Sequence, residues 1–461
     1  MSNVSLSAAT PAPLRSLACA SADLSAGIAA AAHLLLPDLE RGRRIDAVAL
    51  RAAMERAFGG SDAAGAWDWK TAYDACEAVA VLFIRKFGPV IRARAGSPAG
   101  ELSMLSKIAA LLPTHTRRSE ESQALQQFST PIALGFVAAS AAAITPADLV
   151  LEPSAGTGLL AIFAELAGSR LVLNELAESR AALLGQLFPS AATTRYDAAH
   201  IHDHLDGAVR PSVVLMNPPF SAAAHVDGAV ADAALRHVAS ALARVTEGGR
   251  LVAITGASLA PDHPSGREAF VRLQERGRVV FSAAVDGRVY ARHGTTVETR
   301  LTVIDRVPAD DPRSFPASPG LAPDVGTLLQ WVMSNVPSRF PVEGAAALPA
   351  PIHPVAVRPS RRLAQQPLAV AGSSLERAGT ELAYETVDWK PAEGGSLTEA
   401  LYEGYDLQSI RIAGARPHPT RLVQSAAMAS VAPPKPSYRP HLPSDAVSVG
   451  LLSDAQLESV I

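Results

Sequence analysis

The chain has 461 residues and a formal net charge of −3; 48% of its residues are hydrophobic, 18% are charged and 5% are aromatic. This length allows two or three domains around a large core, and the near-neutral charge excludes binding of polyanions by net charge alone. Two cysteines, Cys19 and Cys76, give neither a disulfide framework nor a metal-ligand spacing, so we expect a reducing compartment and no metal site. Because neither a signal peptide nor a run of about 18 apolar residues is evident, the chain is predicted to be soluble and cytoplasmic.

The first part of the chain has a helical pattern. Residues 1–20 are predicted to be disordered, and residues 21–122 to form a helical domain. Helices are expected from residue 21 and over 44–58, 67–87 and 101–112, with the third one stopped by Gly88-Pro89. Four basic residues here could contact DNA, although a solvated basic face is the favoured interpretation: Arg85, Lys86, Arg92 and Arg94.

From residue 123 to residue 306, short apolar runs alternate with helical patterns. Strands are predicted at 147–153, 170–175, 193–198, 213–216, 250–256, 278–285 and 298–306, and helices at 158–167, 176–187 and 229–246. This alternation predicts an α/β domain with a mostly parallel, doubly wound sheet. No long helix separates the last two strands, so we expect an antiparallel edge.

The remaining residues, 307–461, have the composition of an extension or linker. Twelve prolines from Pro308 to Pro367 are too many for regular elements, although one helix is predicted over 324–335. A helical pattern begins again at Ser453 and runs to the last residue. We therefore expect that the chain has been cut short or continues in another polypeptide.

A glycine-rich loop follows the first predicted strand, with the sequence EPSAGTG from Glu152 to Gly158. Its small residues allow a ligand to approach the backbone, and the helix that follows offers free N–H groups. Glu175, at the end of the second strand, fits an acid that binds ribose hydroxyls. These features fit NAD and S-adenosylmethionine equally well. Asp197, at the end of the third strand, could accept a hydrogen bond from an adenine amino group or cap a turn.

Two other motifs favour one of these cofactors. The fourth strand is followed by NPPF (217–220), and the sequence QFSTP (127–131) precedes the first strand. Asn217 offers an amide oxygen, the prolines leave carbonyl groups outside any strand ladder, and Phe220 offers a stacking face. This combination could hold a planar amine for attack on a methyl donor. A nicotinamide enzyme has no need of it, so the motifs favour S-adenosylmethionine.

The order QFSTP, EPSAGTG, NE, YD and NPPF over residues 123–306 resembles the gamma group of amino-methyltransferases that act on adenine in DNA. The resemblance implies a class I S-adenosylmethionine-dependent methyltransferase fold with a Rossmann-like, seven-stranded sheet. It also implies that the target adenine is flipped out of the DNA stack and methylated on its exocyclic N6 amine.

The resemblance assigns roles to individual residues. The cofactor-binding residues that it implies are Phe128, Thr130, Pro131, Glu152, Pro153, Ser154, Ala155, Gly156, Thr157, Gly158, Glu175, Asp197 and Asn217. The catalytic residues that it implies are Asn217, Pro218, Pro219 and Phe220. Asn217 and the Pro218 carbonyl would accept hydrogen bonds from the target amine, while Phe220 would stack on the base.

A larger resemblance covers the flanking sequence. The run TRRSEESQALQQFSTPIALGF looks like the methylase part of bacterial and phage proteins that join a methyltransferase to a strawberry notch-type helicase, and the end of the chain, from Ser437, looks like the lead-in to that helicase. The resemblance suggests a helicase partner and protection of DNA against restriction. The chain contains no Gly-Lys dipeptide and hence no P-loop, and residues 307–461 do not look like a target-recognition domain.

Several alternatives stay open at this stage. The acceptor could be a protein glutamine or an RNA base, because an NPPF-type motif accepts any planar amide or amine. The fold could also serve as a non-catalytic module that binds DNA or the methyl donor for a helicase partner. His200, His202 and His204 resemble a metal tract, but solvated histidines are the favoured interpretation. A hairpin between the last two strands could contact DNA phosphates through Arg288, Tyr290, Arg292 and His293.

Overall fold

The computed structural model describes residues 14–115, 129–219, 230–261, 263–264 and 266–340, with side chains except in 14–22 and 230–233. The helices are α1 (Leu14–Glu40), α2 (Ala47–Phe58), α3 (Trp69–Ala95), α4 (Pro98–Leu111), α5 (Ile132–Ala142), α6 (Ala161–Leu166), α7 (Glu178–Leu187), α8 (Ile201–His204), α9 (Val230–Arg244), α10 (Arg267–Gln274) and α11 (Val325–Asn335). Two 3-10 turns cover Ala198–His200 and Gly287–His293. The strands are β1 (Leu149–Glu152), β2 (Arg170–Asn174), β3 (Ala192–Thr194), β4 (Val213–Met216), β5 (Arg250–Gly256), β6 (Arg278–Val285), β7 (Thr299–Asp305) and β8 (Leu321–Ala322).

These strands form one mixed sheet in the order β3-β2-β1-β4-β5-β7-β6-β8. Neighbouring strands within the group β1 to β5 run parallel to one another. Strand β7 lies between β5 and β6 and runs antiparallel to both. The predicted antiparallel edge is therefore confirmed. The prediction of seven strands misses β8, two residues that pair with the end of β6. With helices on both faces, this is the class I S-adenosylmethionine-dependent methyltransferase fold.

Side chains of the central strands alternate between two apolar cores. In β4, Val213 and Leu215 enter the core on one face, and Val214 and Met216 enter the core on the other. Helices α9 and α10 cover the second face, and they contribute Val238 and Phe270 among other residues. Because both faces of the sheet are covered, the sequence of β4 is a continuous run of apolar residues.

Helices α1–α4 share the first of these cores with the sheet. Ile28 of α1, Phe83 of α3 and Leu105 of α4 belong to the same buried cluster as Phe163 of α6 and Leu215 of β4. Polar contacts follow the same interface: Arg85 donates to Glu165 at 2.7 Å, and Arg180 of α7 donates to Asp74 at 2.7 Å. The helical segment thus packs directly on the methyltransferase fold. The domain boundary at residue 122 stays a prediction.

The predicted end of α3 at Phe87 is wrong, because the helix continues through Gly88-Pro89 to Ala95. Gly88 lies against α6, and a Cβ atom there would meet Leu166 Cδ1 at 2.4 Å, so the glycine serves close packing. Pro89 removes one intrahelical hydrogen bond. Burial of Phe87 and Ile91 on either side keeps the helix intact.

Helix α5 is absent from the sequence prediction. Its sequence, IALGFVAASAA, is apolar on nearly every side and has no amphipathic period to reveal it. The structure buries this helix between α4, α11 and the sheet, which explains the missing polar face. In the described part of the chain, no helix combines the length and the apolar character needed to cross a membrane.

A buried ion pair joins the middle of the sheet to its antiparallel edge. Arg250 of β5 donates through Nε to Asp305 of β7 at 2.6 Å, and the two side chains are 1% and 2% exposed. Arg250 also donates to the carbonyl oxygens of Ala141 and Pro337. Four of its five N–H donors therefore have partners inside the protein, which a buried guanidinium requires.

Replacement of Asp305 by asparagine should destabilise the fold by about 3–5 kcal/mol, because Arg250 would keep its charge in the core without a partner. Chemical denaturation monitored by circular dichroism measures this change. The matched control is Asp310→Asn, since Asp310 pairs with Arg278 at 2.9 Å but has a side chain that is 93% exposed. Equal shifts of the two unfolding midpoints would contradict the importance of the buried pair.

Candidate active site

The candidate site lies where β1, β2, β3 and β4 end. These strands are parallel, so the loops that follow them meet at one edge of the sheet. The chain order reverses beside β1, between β2 on one side and β4 on the other. Ligands of open α/β sheets bind in the crevice at such a switch point. The described residues of EPSAGTG, NE, YD and NPPF fall within or beside these loops.

The glycine loop after β1 presents open backbone to this crevice. Gly156 has φ +55°, and a Cβ atom there would have nothing within 4 Å. Gly158 has φ +92° and lies so close to Phe188 that a Cβ atom would meet the ring at 2.3 Å. Of residues 153–158, Ser154 and Gly156 are half-buried and the others are buried. The tip of the loop is thus accessible, whereas its base is packed.

Glu175 lies against the glycine loop, as the motif order predicts. One carboxylate oxygen accepts a hydrogen bond from Gly156 N at 2.9 Å, and the other accepts from Ala177 N at 2.9 Å. The side chain is only 8% exposed. A carboxylate held by two backbone N–H groups is well placed to bind hydroxyl groups beside Gly156.

Asn174, to which the sequence reasoning gave no role of its own, organises the loops around the crevice. This fully buried side chain donates to Pro153 O and Tyr196 O, each at 2.9 Å. Its amide oxygen accepts from Tyr196 N and Thr194 Oγ1, each at 2.8 Å. One amide therefore joins the ends of β1, β2 and β3. An asparagine that closes the apolar run RLVLN was the available signal.

Asp197 caps a turn in the structure. Its side chain accepts from Ala199 N at 2.9 Å at the start of the 3-10 turn 198–200. Of the two roles that the sequence left open, the cap is the one with a visible contact. Tyr196, beside it, is 37% exposed and stacks on His204. An adenine-binding role for Asp197 stays a prediction.

Glu152 is a buried residue at the end of β1, and one of its two carboxyl oxygens lacks a hydrogen-bond partner among the described residues. It is 2% exposed and accepts a backbone hydrogen bond from Ala161 at the start of α6. Its Oε2 atom has no hydrogen-bond partner among the described residues. Burial, with a contribution from the charge of Glu175, raises the pKa of Glu152 well above its usual value. An unsatisfied buried oxygen of this kind suits an N–H donor or a cation.

Asn217 sits at the end of β4 with its amide held by two hydroxyl-bearing residues. Its Nδ2 atom donates to Thr130 Oγ1 at 2.9 Å, which joins NPPF to QFSTP. The Tyr290 side chain also hydrogen-bonds with Asn217, and burial raises the pKa of the Tyr290 hydroxyl, so this group stays protonated. Pro218 is buried and Pro219 half-buried beside it.

Two of the predicted site residues, Phe128 and Phe220, lie outside the described residues. Pro131 is described and begins helix α5, where its carbonyl accepts from Gly135 N. The structure therefore brings Thr130 of QFSTP and Asn217 of NPPF into contact beside β4. The predicted stacking role of Phe220 stays a prediction.

Helix α3 reaches the glycine loop through Glu77. Thr157 Oγ1 donates to Glu77 Oε2 at 2.6 Å, and Ser129 also hydrogen-bonds with this carboxylate. Burial and the nearby charge of Asp74 raise the pKa of Glu77 to about 7. The sequence reasoning missed this residue because it lies in the helical segment, far from any motif.

The basic residues that could have contacted DNA are largely engaged within the protein. Tyr290 is fully buried, and Arg292 donates to the carbonyl oxygens of Ala110 and Leu112. The exposed hairpin expected between the last two strands is therefore wrong, since the segment is a packed 3-10 turn. On α3, three of the four basic residues pair with acids: Arg85 with Glu165, Lys86 with Glu40 and Arg92 with Glu101.

The histidine tract after β3 does not assemble a ligand set in the described structure. His200 lies 3.9 Å from Asp203, and both side chains are more than half exposed. A different trio, Glu77, His115 and His293, is the group of potential metal ligands found among the described residues.

The chain has limited similarity to known proteins. Residues 417–461 match a protein family described as P-loop containing NTP hydrolase pore-1. No curated protein matches the chain by sequence. Among solved structures, TrmN from Thermus thermophilus is similar at 19% identity and a TM-score of 0.31, over 41% of this chain and 52% of that one.

Two other solved structures show the same kind of likeness. A modification subunit of a putative type I restriction enzyme from Vibrio vulnificus YJ016 matches at 15% identity and a TM-score of 0.35, over 46% of this chain and 54% of that one. A putative class I S-adenosylmethionine-dependent methyltransferase from Listeria monocytogenes matches at 13% identity and a TM-score of 0.40, over 69% of this chain and 98% of that one. The chain spans about half the length of TrmN and of the modification subunit. At these identities and TM-scores, functional assignment depends on the chain's own strand order and side chains.

Replacing Asn174 by leucine should loosen the whole crevice, because four polar groups on two loops would lose their buried partner. We expect a loss of about 3 kcal/mol or more in unfolding free energy. Hydrogen exchange should become faster in residues 153–158 and 194–197. Asn335→Leu is the control, since Asn335 is exposed and donates once, to Trp331 O. Unchanged exchange in both loops would show that other contacts hold them.

Proposed function

We propose that this chain transfers a methyl group from S-adenosylmethionine to the exocyclic N6 amine of adenine in DNA. The observation that carries the proposal is the placement of Asn217. This residue ends β4, beside the strand that leads into the glycine loop, and its amide is held by Thr130 and Tyr290. A strand-end amide fixed in this way is suited to orient an amine toward a ligand in the neighbouring loop.

The residues around the crevice fit S-adenosylmethionine. Open backbone at Gly156 allows close approach of a ligand, and Glu175 beside it suits ribose hydroxyls. The unsatisfied Oε2 atom of Glu152 suits a positively charged or N–H donor group, such as the ammonium of the methionine part. When bound, S-adenosylmethionine supplies an electrophilic methyl group on a sulfonium centre. NAD has no ammonium group to donate to Glu152, and it gives no role to Asn217.

The chain's acceptor groups would activate the amine by position. The lone pair of an exocyclic adenine amine is delocalised into the ring, which makes the amine a poor nucleophile. Hydrogen bonds from its two hydrogens to the Asn217 amide oxygen and the Pro218 carbonyl favour a pyramidal nitrogen with its lone pair aimed at the methyl group. Positioning and preorganised dipoles can supply most of the acceleration, so no strong base is needed.

DNA adenine is proposed as the acceptor because the motif order resembles adenine-specific methyltransferases. Base flipping would bring the target to Asn217, at a cost of a few kcal/mol. We extend the same proposal to protection of DNA against restriction. A protein glutamine or an RNA base is the second candidate, since either presents a planar nitrogen that fits the same pair of acceptors.

A partner with a P-loop NTP hydrolase domain also belongs to the proposal. The match of residues 417–461 to such a family supports it, as does the resemblance to strawberry notch-type helicase proteins. The chain has no Gly-Lys dipeptide, so nucleotide hydrolysis is assigned to the partner.

Asn217→Ala should lower N6-methyladenine formation by about 100-fold or more, because an amide aimed at the reacting nitrogen is lost. Mass spectrometry of nucleosides from DNA incubated with purified chain and donor gives the readout. Calorimetry should show that S-adenosylmethionine still binds, which separates a catalytic defect from a folding defect.

The wild-type result distinguishes the candidate functions. Absence of methyladenine with the wild-type chain would refute DNA adenine as the acceptor, and labelled donor with RNA or glutamine peptides then tests the second candidate. Donor binding without transfer to any acceptor would favour a non-catalytic binding module. Binding of NAD in place of S-adenosylmethionine would overturn the cofactor assignment.

Tyr290→Phe tests whether the hydroxyl positions Asn217. Removal of one hydrogen bond should lower kcat by about 3–10-fold and leave the affinity for the donor unchanged. In the Asn217→Ala background the same substitution should have no further effect, because its partner is already gone. Additive losses in the double variant would show that Tyr290 acts elsewhere.

A further inference from the structure

Three potential metal ligands meet between the helical segment and the methyltransferase fold. Glu77 comes from α3, His115 from the segment after α4, and His293 from the 3-10 turn between β6 and β7. One ligand atom from each lies within 4.8 Å of the other two. From this geometry we propose that Glu77, His115 and His293 bind a divalent metal ion of the Zn²⁺ class.

The distances suit one ion. Bonds from Zn²⁺ to histidine nitrogen or carboxylate oxygen are about 2.0–2.2 Å, so ligand atoms of one ion lie at most roughly 4.2 Å apart. The trio closes around an ion with a movement of roughly 1 Å or less. Two histidines and a glutamate are a donor set that Zn²⁺ uses in three-residue sites, with a fourth position left for water or another ligand.

The electrostatics of the trio also suit a cation. The partners of the Glu77 carboxylate are the neutral hydroxyls of Ser129 and Thr157, and within the described structure it forms no ion pair. Glu77 is 4% exposed, and the nearby Arg180, whose charge acts on this carboxyl group, pairs through both arms with Asp74.

The surroundings of the two histidines also favour a bound ligand. The Nδ1 atom of His293 is buried and has no hydrogen-bond partner among the described residues. Tyr73 stacks on His115 with ring centroids 4.1 Å apart and fixes its orientation.

Contacts outside the trio hold the ligands as a metal site requires. Thr157 orients the Glu77 carboxylate through its 2.6 Å hydrogen bond. The backbone N–H of His115 donates to Arg292 O at 2.8 Å, which joins the two histidine-bearing segments. A cavity of about 350 Å³ is lined by Glu77, His115 and His293, together with Cys76 and Pro131, and offers room for a fourth ligand.

A metal ion at this position would have a structural role. It would fasten α3, the segment after α4 and the 287–293 turn to one another. Thr157 of the glycine loop contacts one ligand directly, and Tyr290, which holds Asn217, lies in the same turn as another. The ion would therefore stabilise both the glycine loop and the turn whose Tyr290 holds Asn217. Its binding can be tested without any assay of methyl transfer.

The test begins with the full wild-type chain. Elemental mass spectrometry should find about one Zn²⁺ per chain after purification, or titration of chelator-treated chain with ZnCl₂ should reach a stoichiometry of one with micromolar or tighter affinity. Co²⁺ should replace it and give the visible absorption of a four- or five-coordinate site with nitrogen and oxygen ligands. A wild-type chain that neither retains nor takes up either metal would overturn the proposal.

Substitutions then locate the ion. Glu77→Gln and the similarly sized His293→Asn should each weaken binding by about 100-fold or more, with circular dichroism to verify folding. His204→Ala, an exposed histidine outside the trio, is the matched control and should bind like the wild type. Should either trio variant unfold, the protection of residues 287–293 from hydrogen exchange on adding Zn²⁺ to the wild-type chain decides the question. Equal binding by all folded variants, or no added protection, would contradict the site.

Discussion

The crevice depends on the amide of Asn174. Four hydrogen bonds from one fully buried side chain fix the loop after β1 relative to the loop after β3. The Pro153 carbonyl is buried and the Tyr196 backbone is half-buried, and both lie beyond the strand ladders, so nothing in the regular sheet would satisfy them. Glu175, the next residue, owes its place against Gly156 to this arrangement. The residues that could contact a ligand in the crevice are therefore positioned by the buried amide of Asn174.

Local patterns predicted the sheet well because each strand is short, apolar and bounded by strong breakers. Strand β4 was predicted to the residue, since Pro211 and Pro218 confine it. Helix α5 and the end of α3 were not predictable in the same way. Helix α5 is buried on all sides and lacks a periodic signal, and Gly88-Pro89 looks like a stop until Leu166 is packed against it.

The candidate site likewise has one part that the sequence predicted and another that it did not. The predicted strand ends put Asn217 and the glycine loop at one edge of the sheet, because strand ends in a parallel sheet converge, and the structure adds a hydrogen bond from Asn217 to Thr130. The contacts that support them were invisible to sequence reasoning: Glu77 lies 80 residues from Thr157, in a helix with no motif of its own. Tyr290 was read as part of an exposed hairpin, since nothing in its local sequence indicates burial. Supporting contacts arise from tertiary packing, which a single sequence does not display.

The ion pair between Arg339 and Asp148 fixes the position of the last segment that the structure describes. Arg339 donates to both carboxylate oxygens of Asp148 with side chains 8% and 4% exposed, and this partnership lowers the pKa of Asp148 despite its burial. Asp148 directly precedes β1, so this anchor lies at the amino end of the sheet. The described segment that ends at residue 340 is therefore held opposite the crevice and does not cover the crevice's mouth.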